Sequence, residues 1–579
     1  MNHPKTGRGP DSIGRELKLA GRYLNVPIKA GTPRRTMAIE LEGVVVRCFE
    51  IELAVDEIDY WAFVEVEAWR DRRALIRLHA QPTVEDPVIH AHAAAHPLAG
   101  NALDRLEVAE EIHDAAALYH EELRPQFHFT PRCGWHNDPN GMFWFAGEYH
   151  LFYQWQPFSV SSFSDKSWGH AVSRDLLHWE ELPLALPADH EGAKWSGSGV
   201  VDWHNVSGLQ QGTEPPLLLF YTATGRSAHH PKPSAPRDFV QSIAVSHDRG
   251  RTWTPYAGNP ILGNLSPRNR DPWVFWHAPT QRWIMVLYVG YPIADAGALH
   301  TAQIFTSTNL IAWNYEGRIE GFFDCPILFP LPLDGDEAEP RWIIHCANMK
   351  YKVGRFDGRS FIAETDLLVG QHGDCAYAAQ LFNHQPDGRR VQMAWGRTEA
   401  PGMPFSQIMT FPCALSLVTT SAGPRMKWQP VEEISRLHGA KKVWRNTPLP
   451  AGGEPLLLAA GRHFDLQLVL DAGEAAEIEL NLRGIPVVWN VRERSLTAKD
   501  WVVPLPLTGE KLELRILLDR ISVEIFAADG LVYMPLAIVP AAENERVTLA
   551  ARGGSATAES ITCAEVASIW NPAQTTGAK

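Results

Sequence analysis

The sequence predicts an all-β protein. Short apolar runs, such as Pro-Leu-Leu-Leu-Phe-Tyr-Thr at 216–222 and Arg-Trp-Ile-Met-Val-Leu-Tyr at 282–288, have strand length and are bounded by Gly, Pro, Asn and Asp. Long amphipathic helical windows are scarce. A chain of 579 residues exceeds what one core organises, so three or four domains are expected.

Residues 1–122 form the first segment. Within it, 37–53 and 61–69 alternate acidic and apolar residues, which fits strands with one wet face in a small β-sandwich-like module. Residues 106–114 read as a short helix or a linker. The second segment is 123–437. There Asn-Asp-Pro-Asn-Gly at 137–141 reads as a tight turn, because Pro fixes φ and Asn or Gly accept positive φ. The aromatic run 142–155, with Gly147 at a turn, makes a hairpin whose mouth would carry Asp138. Three later turns place Ser and Trp six or seven residues apart, at Ser173 and Trp179, Ser246 and Trp253, and Ser307 and Trp313. They suggest a repeated hairpin in which the indoles are packing anchors. The third segment, 438–579, alternates at 464–470 and 512–518 and fits a β-sandwich.

Alone, an Asn-Asp-Pro-Asn-Gly segment more often caps a loop than acts on a substrate. Its companions change that. Trp-His-Asn-Asp-Pro-Asn-Gly at 135–141 is followed by His-Leu-Phe-Tyr-Gln at 150–154, Trp-Gly-His-Ala-Val-Ser at 168–173 and Trp-Ser-Gly-Ser at 195–198. Tyr-Thr-Ala at 221–223, Arg-Asp-Pro at 270–272, Phe-Asp-Cys-Pro at 323–326, Tyr-Ala-Ala-Gln at 377–380 and Asp-Arg-Ile-Ser-Val-Glu-Ile-Phe at 519–526 come after. This ordered set, spanning residues 123–535, resembles glycoside hydrolase family 32, the invertases, inulinases and levanases.

The resemblance implies a five-bladed β-propeller over 123–437 and a C-terminal β-sandwich, and residues 1–122 resemble the extra module that precedes some bacterial members. It implies a retaining glycosidase that releases terminal β-D-fructofuranosyl residues from sucrose, fructo-oligosaccharides or levan- and inulin-type fructans. Such enzymes use two carboxyls about 5–5.5 Å apart. Asp138 takes the nucleophile position, Asp271 the position that stabilises the transition state, and Asp324 that of the acid/base. The implied substrate contacts are Asn137 and Gln154 for hydroxyls, Trp168 as an apolar wall, Trp195, Ser196 and Ser198 as the pocket wall, and Arg270 beside Asp271. For Trp135 and Trp195, sugar stacking and core packing are equal expectations.

Three departures bear on the chemistry. Asp324 stands where the family carries Glu, which draws the carboxyl back by roughly 1.5 Å, one C–C bond. Either the backbone compensates, or the enzyme is slow, or the chain is a noncatalytic fructan binder. In a bolder version the gap approaches the roughly 6.5–9.5 Å that admits a water and inverts the anomer. Phe163-Ser-Asp165 replaces the Trp-Gly-Asn stretch that walls the sugar site, and Thr-Phe-Pro-Cys-Ala-Leu at 410–415 has lost a charged pair. Linkage preference, action on another furanoside, and transfer of fructose to a sugar acceptor stay open.

The net charge of -14 and the absence of a basic face exclude nucleic acid as a natural partner, whereas a neutral sugar fits. No apolar run has the roughly 18 residues of a membrane span. The first seven residues lack an apolar signal core, so a cytoplasmic chain is expected. Seven scattered cysteines suit reduced thiols, and neither they nor the 24 histidines recur at zinc-ligand spacing. His90, His92 and His96, and the pair His229 and His230, read as solvated loops; no metal or cofactor is expected. A homo-oligomer is compatible with the sequence.

Overall fold

The computed structural model describes residues 11–82, 87–161, 165–189, 191–225, 239–293, 297–507 and 509–570. At its start, Ser12–Lys18, Arg73–His79, Arg35–Leu41 and Val44–Ile51 form one sheet, and Tyr60–Glu65, Tyr23–Ile28 and Glu107–Ala109 form a second. Leu24, Val26, Met37, Ile39 and Ile76 belong to a common core. The 37–53 run is broken into a hairpin at Glu42 and Gly43, both at positive φ, which a tight turn between twisted strands requires. Residues 106–114 correct the expectation of a helix or linker: Glu107–Ala109 is a strand paired with Tyr23–Asn25, a partner distant in sequence. A helix at Pro87–Ala95 carries His90 and His92 at the surface, with His96 just beyond; His229 and His230 lie outside the described residues.

Residues 134–430 make five four-stranded blades, the last two joined by a parallel contact between Leu333 and Leu417. The leading strands are Gly134–Phe145, Lys194–Val201, Arg268–His277, Ile327–Leu333 and Ala376–Leu381. The Ser and Trp turns join the third and fourth strands of the first three blades, with Ser173, Ser246 and Ser307 hydroxyls accepting the N–H groups of Asp175, Gly250 and Leu310. Their indoles anchor neighbouring blades. Trp253 meets Phe152 of the preceding blade edge-on at 5.4 Å, Trp313 meets Phe220 at 6.1 Å, and Trp179 stacks on Phe382, beside the fifth blade, at 6.4 Å. The ring closes where Phe405–Ser406 pairs in parallel with Gly134–Trp135.

The expected turn at 137–141 is also corrected. These residues lie inside the strand Gly134–Phe145, whose register against Glu148–Gln156 shifts between His136 and Pro139 and again between Asn140 and Phe143. A bulge, like a turn, tolerates proline and left-handed residues, so the two share a sequence signature. Gly141 has φ +55, and a Cβ there would sit 2.8 Å from Leu219 and Phe152.

Two six-stranded sheets complete the chain, enclosing Leu466, Leu480, Ile516, Ile525 and Leu549. The 519–526 motif fastens this sandwich to the propeller. His128 bonds Asp519 at 2.8 Å and Glu524 at 3.0 Å, all three buried. Asp519 also accepts the Gln126 and Phe127 N–H groups, and Glu524 those of Phe411 N–H and Tyr533 O–H. Phe411 thus places the altered 410–415 stretch at this joint.

Candidate active site

The site lies where leading strands converge. Bulges occur at His136/Pro139, Trp195/Gly197, Arg270/Trp273 and Tyr377/Gln380 in the first, second, third and fifth blades, and each lies beside a site residue. In the fourth, Asp324 and Cys325 just precede the strand with φ of 62 and 40. Asp271 has φ 64. A bulge re-aims a side chain that regular pleating would send to one face, and left-handed backbone does the same at some cost in strain.

Asp138 is held by a closed ring of hydrogen bonds. Asn137 Nδ2 donates to Asp138 Oδ1 at 3.0 Å and to Gln154 Oε1 at 2.5 Å. Gln154 Nε2 donates to Ser196 Oγ at 2.8 Å, and that hydroxyl donates to Asp138 Oδ2 at 2.5 Å. Asn137, Gln154 and Ser196 are buried, so their polar groups are spent on the carboxylate. Asn137 Oδ1 accepts the Trp135 indole N–H at 3.2 Å and the Lys166 ammonium at 2.6 Å. Burial holds Lys166 down at about 8, against the pull of Asp138.

Asp271 is buried, its N–H bound to Thr222 Oγ1 at 3.0 Å. Ser198 secures the same bulge, donating to the Pro272 carbonyl at 2.8 Å and accepting Val274 N–H at 2.9 Å. Arg270 Nε lies 2.7 Å from Asp324 Oδ1 and 3.4 Å from Asp271 Oδ2. Tyr377 O–H reaches Asp324 Oδ2 at 3.3 Å, and Cys325 N–H reaches Asp271 Oδ2 at 3.2 Å. Burial first, then the charge of Asp324, raise the Asp271 pKa well above the usual carboxylate value. The Cys325 thiol, 3.7 Å from Asp138 Oδ2, is raised by burial as well and bridges the two halves of the site. Asp271, Asp324 and Cys325 offer ligand atoms within 4.8 Å of one another. Arg270 already neutralises the carboxylates and the thiol keeps its proton, so this trio is a poor cation site.

Trp135 and Trp195 are half-buried at the rim, Trp135 edge-on to Trp395 at 5.8 Å and Trp195 beside Phe239 and the Arg270 guanidinium. Two expected contacts are corrected. Trp168 is fully buried between blades, its indole donating to the Trp195 carbonyl, so it packs a core and walls no sugar. Ser198 is equally buried and aligns the Asp271 strand. Phe163 lies outside the described residues, while Asp165 faces the N-terminal sheet and not the sugar pocket. Sequence reasoning missed Lys166, Thr222 and Tyr288, over whose ring Arg270 lies at 4.6 Å. Lys166 directly follows the departing 163–165 stretch, which was its one signal.

Converging carboxyls at the axis of a five-bladed propeller, with an arginine between two of them, define a glycosidase. Residues 128–430 match the glycosyl hydrolases family 32 N-terminal domain and residues 446–565 the family 32 C-terminal domain. The chain belongs to glycosyl hydrolase family 32 and is an enzyme of the β-fructofuranosidase type. It is 35% identical over 511 residues to a levanase of Bacillus subtilis (strain 168), covering 79% of this chain and 72% of that protein. It is 29% identical to an extracellular exo-inulinase of Aspergillus awamori, covering 78% and 96%. A crystal structure of exo-inulinase from the same organism superposes with a TM-score of 0.69 at 27% identity, covering 78% of this chain and all (100%) of that one.

Proposed function

We propose that this protein hydrolyses terminal β-D-fructofuranosyl bonds in sucrose, fructo-oligosaccharides or levan- and inulin-type chains, by a retaining double displacement. The observation that carries the reading is the pairing of a locked Asp138 with the neighbouring carboxyls of Asp271 and Asp324, bridged by Arg270, on the other side of Cys325. The levanase and exo-inulinase relatives support the substrate class.

In this scheme an Asp138 oxygen attacks C2 of the fructosyl unit as the glycosidic bond breaks, and Asp324 gives its proton to the leaving oxygen. Water, deprotonated by Asp324, then releases fructose from Asp138. Ser196 and Asn137 keep the nucleophile aimed; Arg270 and Asp271 hold the sugar hydroxyls, and it is the Asp271 carboxyl that opposes the positive charge developing on the ring. Seven buried cysteines kept as thiols support a reducing compartment such as the cytoplasm.

The shortened acid favours a second reading, a fructan binder with little turnover, because both Asp324 oxygens are already engaged by Arg270 and Tyr377. Fructose release from sucrose, kestose, inulin and levan decides between them. Activity in the parent that falls by roughly 10³-fold or more in Asp138→Asn, and strongly in Asp324→Asn, is expected for a nucleophile and acid. An inactive parent that gains turnover in Asp324→Glu would establish the binder. NMR of the first product should show β-fructose; the α-anomer would mean inversion, and fructosylated sugars at high substrate would mean transfer.

A further inference from the structure

The hairpin of Arg35–Leu41 and Val44–Ile51 sends Arg47 out of the N-terminal module. Its side chain is buried, and Nη2 lies 3.5 Å from Ser167 Oγ in the first blade. Burial lowers the guanidinium pKa, and Asp165 is the largest charge opposing that shift. Asp165 is 6% exposed, so its carboxyl has almost no access to water, and the Glu50 backbone N–H is its hydrogen-bonding neighbour. Burial, then Glu50, push its pKa up to about 7; Arg47 pulls the other way. A buried carboxylate and a buried guanidinium are each costly alone, and opposite charge in the same seam offsets part of that cost.

Side chains alternate along an extended chain. Asp165 and Ser167 face the N-terminal module, so Lys166 between them faces the opposite way, where it meets Asn137 Oδ1 at 2.6 Å. The segment is also tied from behind: Ser167 Oγ accepts Ala188 N–H at 3.0 Å, and the Lys166 carbonyl accepts Lys194 N–H at 2.9 Å. The seam around it is tight. Phe49 stacks on Phe158 at 3.9 Å, Tyr60 O–H donates to the Pro157 carbonyl at 3.0 Å, and Ser159 O–H donates to Glu52 at 2.6 Å.

We propose that the N-terminal module is a working part of the active site: Arg47, through Ser167, holds Lys166 on Asn137 and thereby fixes the nucleophile Asp138. Arg47 and Lys166 are positioning residues here, and the proposal rests on the fructosidase reading. It adds that the first module, which lies outside both family matches, sets the rate and is more than an appendage.

The test uses the full chain and measures kcat, KM and thermal midpoint on sucrose. Arg47→Met and Lys166→Met are each expected to lower kcat by roughly 10- to 100-fold while changing KM far less, since they misplace the nucleophile without touching sugar. The double variant should be no slower than the slower single one, because both act on one path. Arg47→Lys, which keeps the charge but loses the planar fork, should fall between parent and Arg47→Met, and it carries the comparison if Arg47→Met does not fold. Arg72→Gln, which breaks an exposed pair with Glu42 in the same module, should keep parental kcat. Parental kcat in both Arg47 variants, or multiplied losses in the double variant, would overturn the proposal. A parent with no turnover would instead overturn the fructosidase reading, and this inference with it.

Discussion

A lysine partly withdrawn from water beside a carboxylate is held by two opposed forces, and here they leave it near the middle of the working pH range. Lys166 titrates at about 8, pulled down by burial and up by Asp138. Its charge is present below that pH and lost above it. The expected outcome is a kcat/KM that falls as pH rises through about 8 in the parent and shows no such limb in Lys166→Met. Survival of the limb in the variant would assign it to another group, Asp271 first. Asp138, Asp271 and Asp324 were legible through the ordered set of motifs that carries the family resemblance, and through no one motif alone. Lys166 was not, since a lysine in a polar stretch reads as solvated until its contact with Asn137 is seen. Trp168 misled for the opposite reason: an indole serves a core and a sugar face equally well.

At the scale of elements, the site is made by irregularities. Four of the five leading strands carry a register shift beside a functional residue, and the fourth is entered through left-handed Asp324 and Cys325. Gly141 shows how little slack this leaves. Gly141→Ala must place a methyl 2.8 Å from Leu219 and Phe152 while keeping φ at +55. Overpacking and left-handed strain together should destabilise the chain by about 2–5 kcal/mol, read from denaturant unfolding. A smaller change would show that blades one and two can part to admit it. Strand content and the Ser and Trp turns were readable because period-two patterning and anchoring indoles are local signals. The bulge at 137–141 was read as a turn, and the strand Glu107–Ala109 as helix or linker, because only the partner strand distinguishes them.

At the scale of the molecule, the sandwich and the propeller share a buried charge clasp. Burial works against a charged His128, but the bonds to Asp519 and Glu524 win and raise it from 6.5 to about 9. A raised histidine contributes stability that is whole below its unfolded value and is lost as pH rises through the folded one, here from 6.5 to about 9. Asp519, lowered from 3.8, contributes above that value and loses its part as pH falls below it. Melting temperature should therefore form a plateau between about 3.8 and 6.5 and fall on both sides. His128→Gln, which strands two buried carboxyls, should cost about 3–5 kcal/mol at neutral pH and flatten the alkaline fall. An unchanged melting point in that variant would show the joint to be held by packing alone.

Each of the three stretches has its own strand pattern in the sequence; the seam between the first module and the propeller was hidden, since its contacts, such as Ser159 with Glu52 and Arg47 with Ser167, join residues more than a hundred apart in the chain. The ring closure at Phe405–Ser406 adds a constraint in time. Synthesis delivers Asp138 early, yet its pocket needs Asp324, Tyr377 and a closing strand that emerges only near residue 406, with the clasp at Asp519 later still. While it is being made, the chain carries Asp138 through a long stretch of translation before any pocket exists around it.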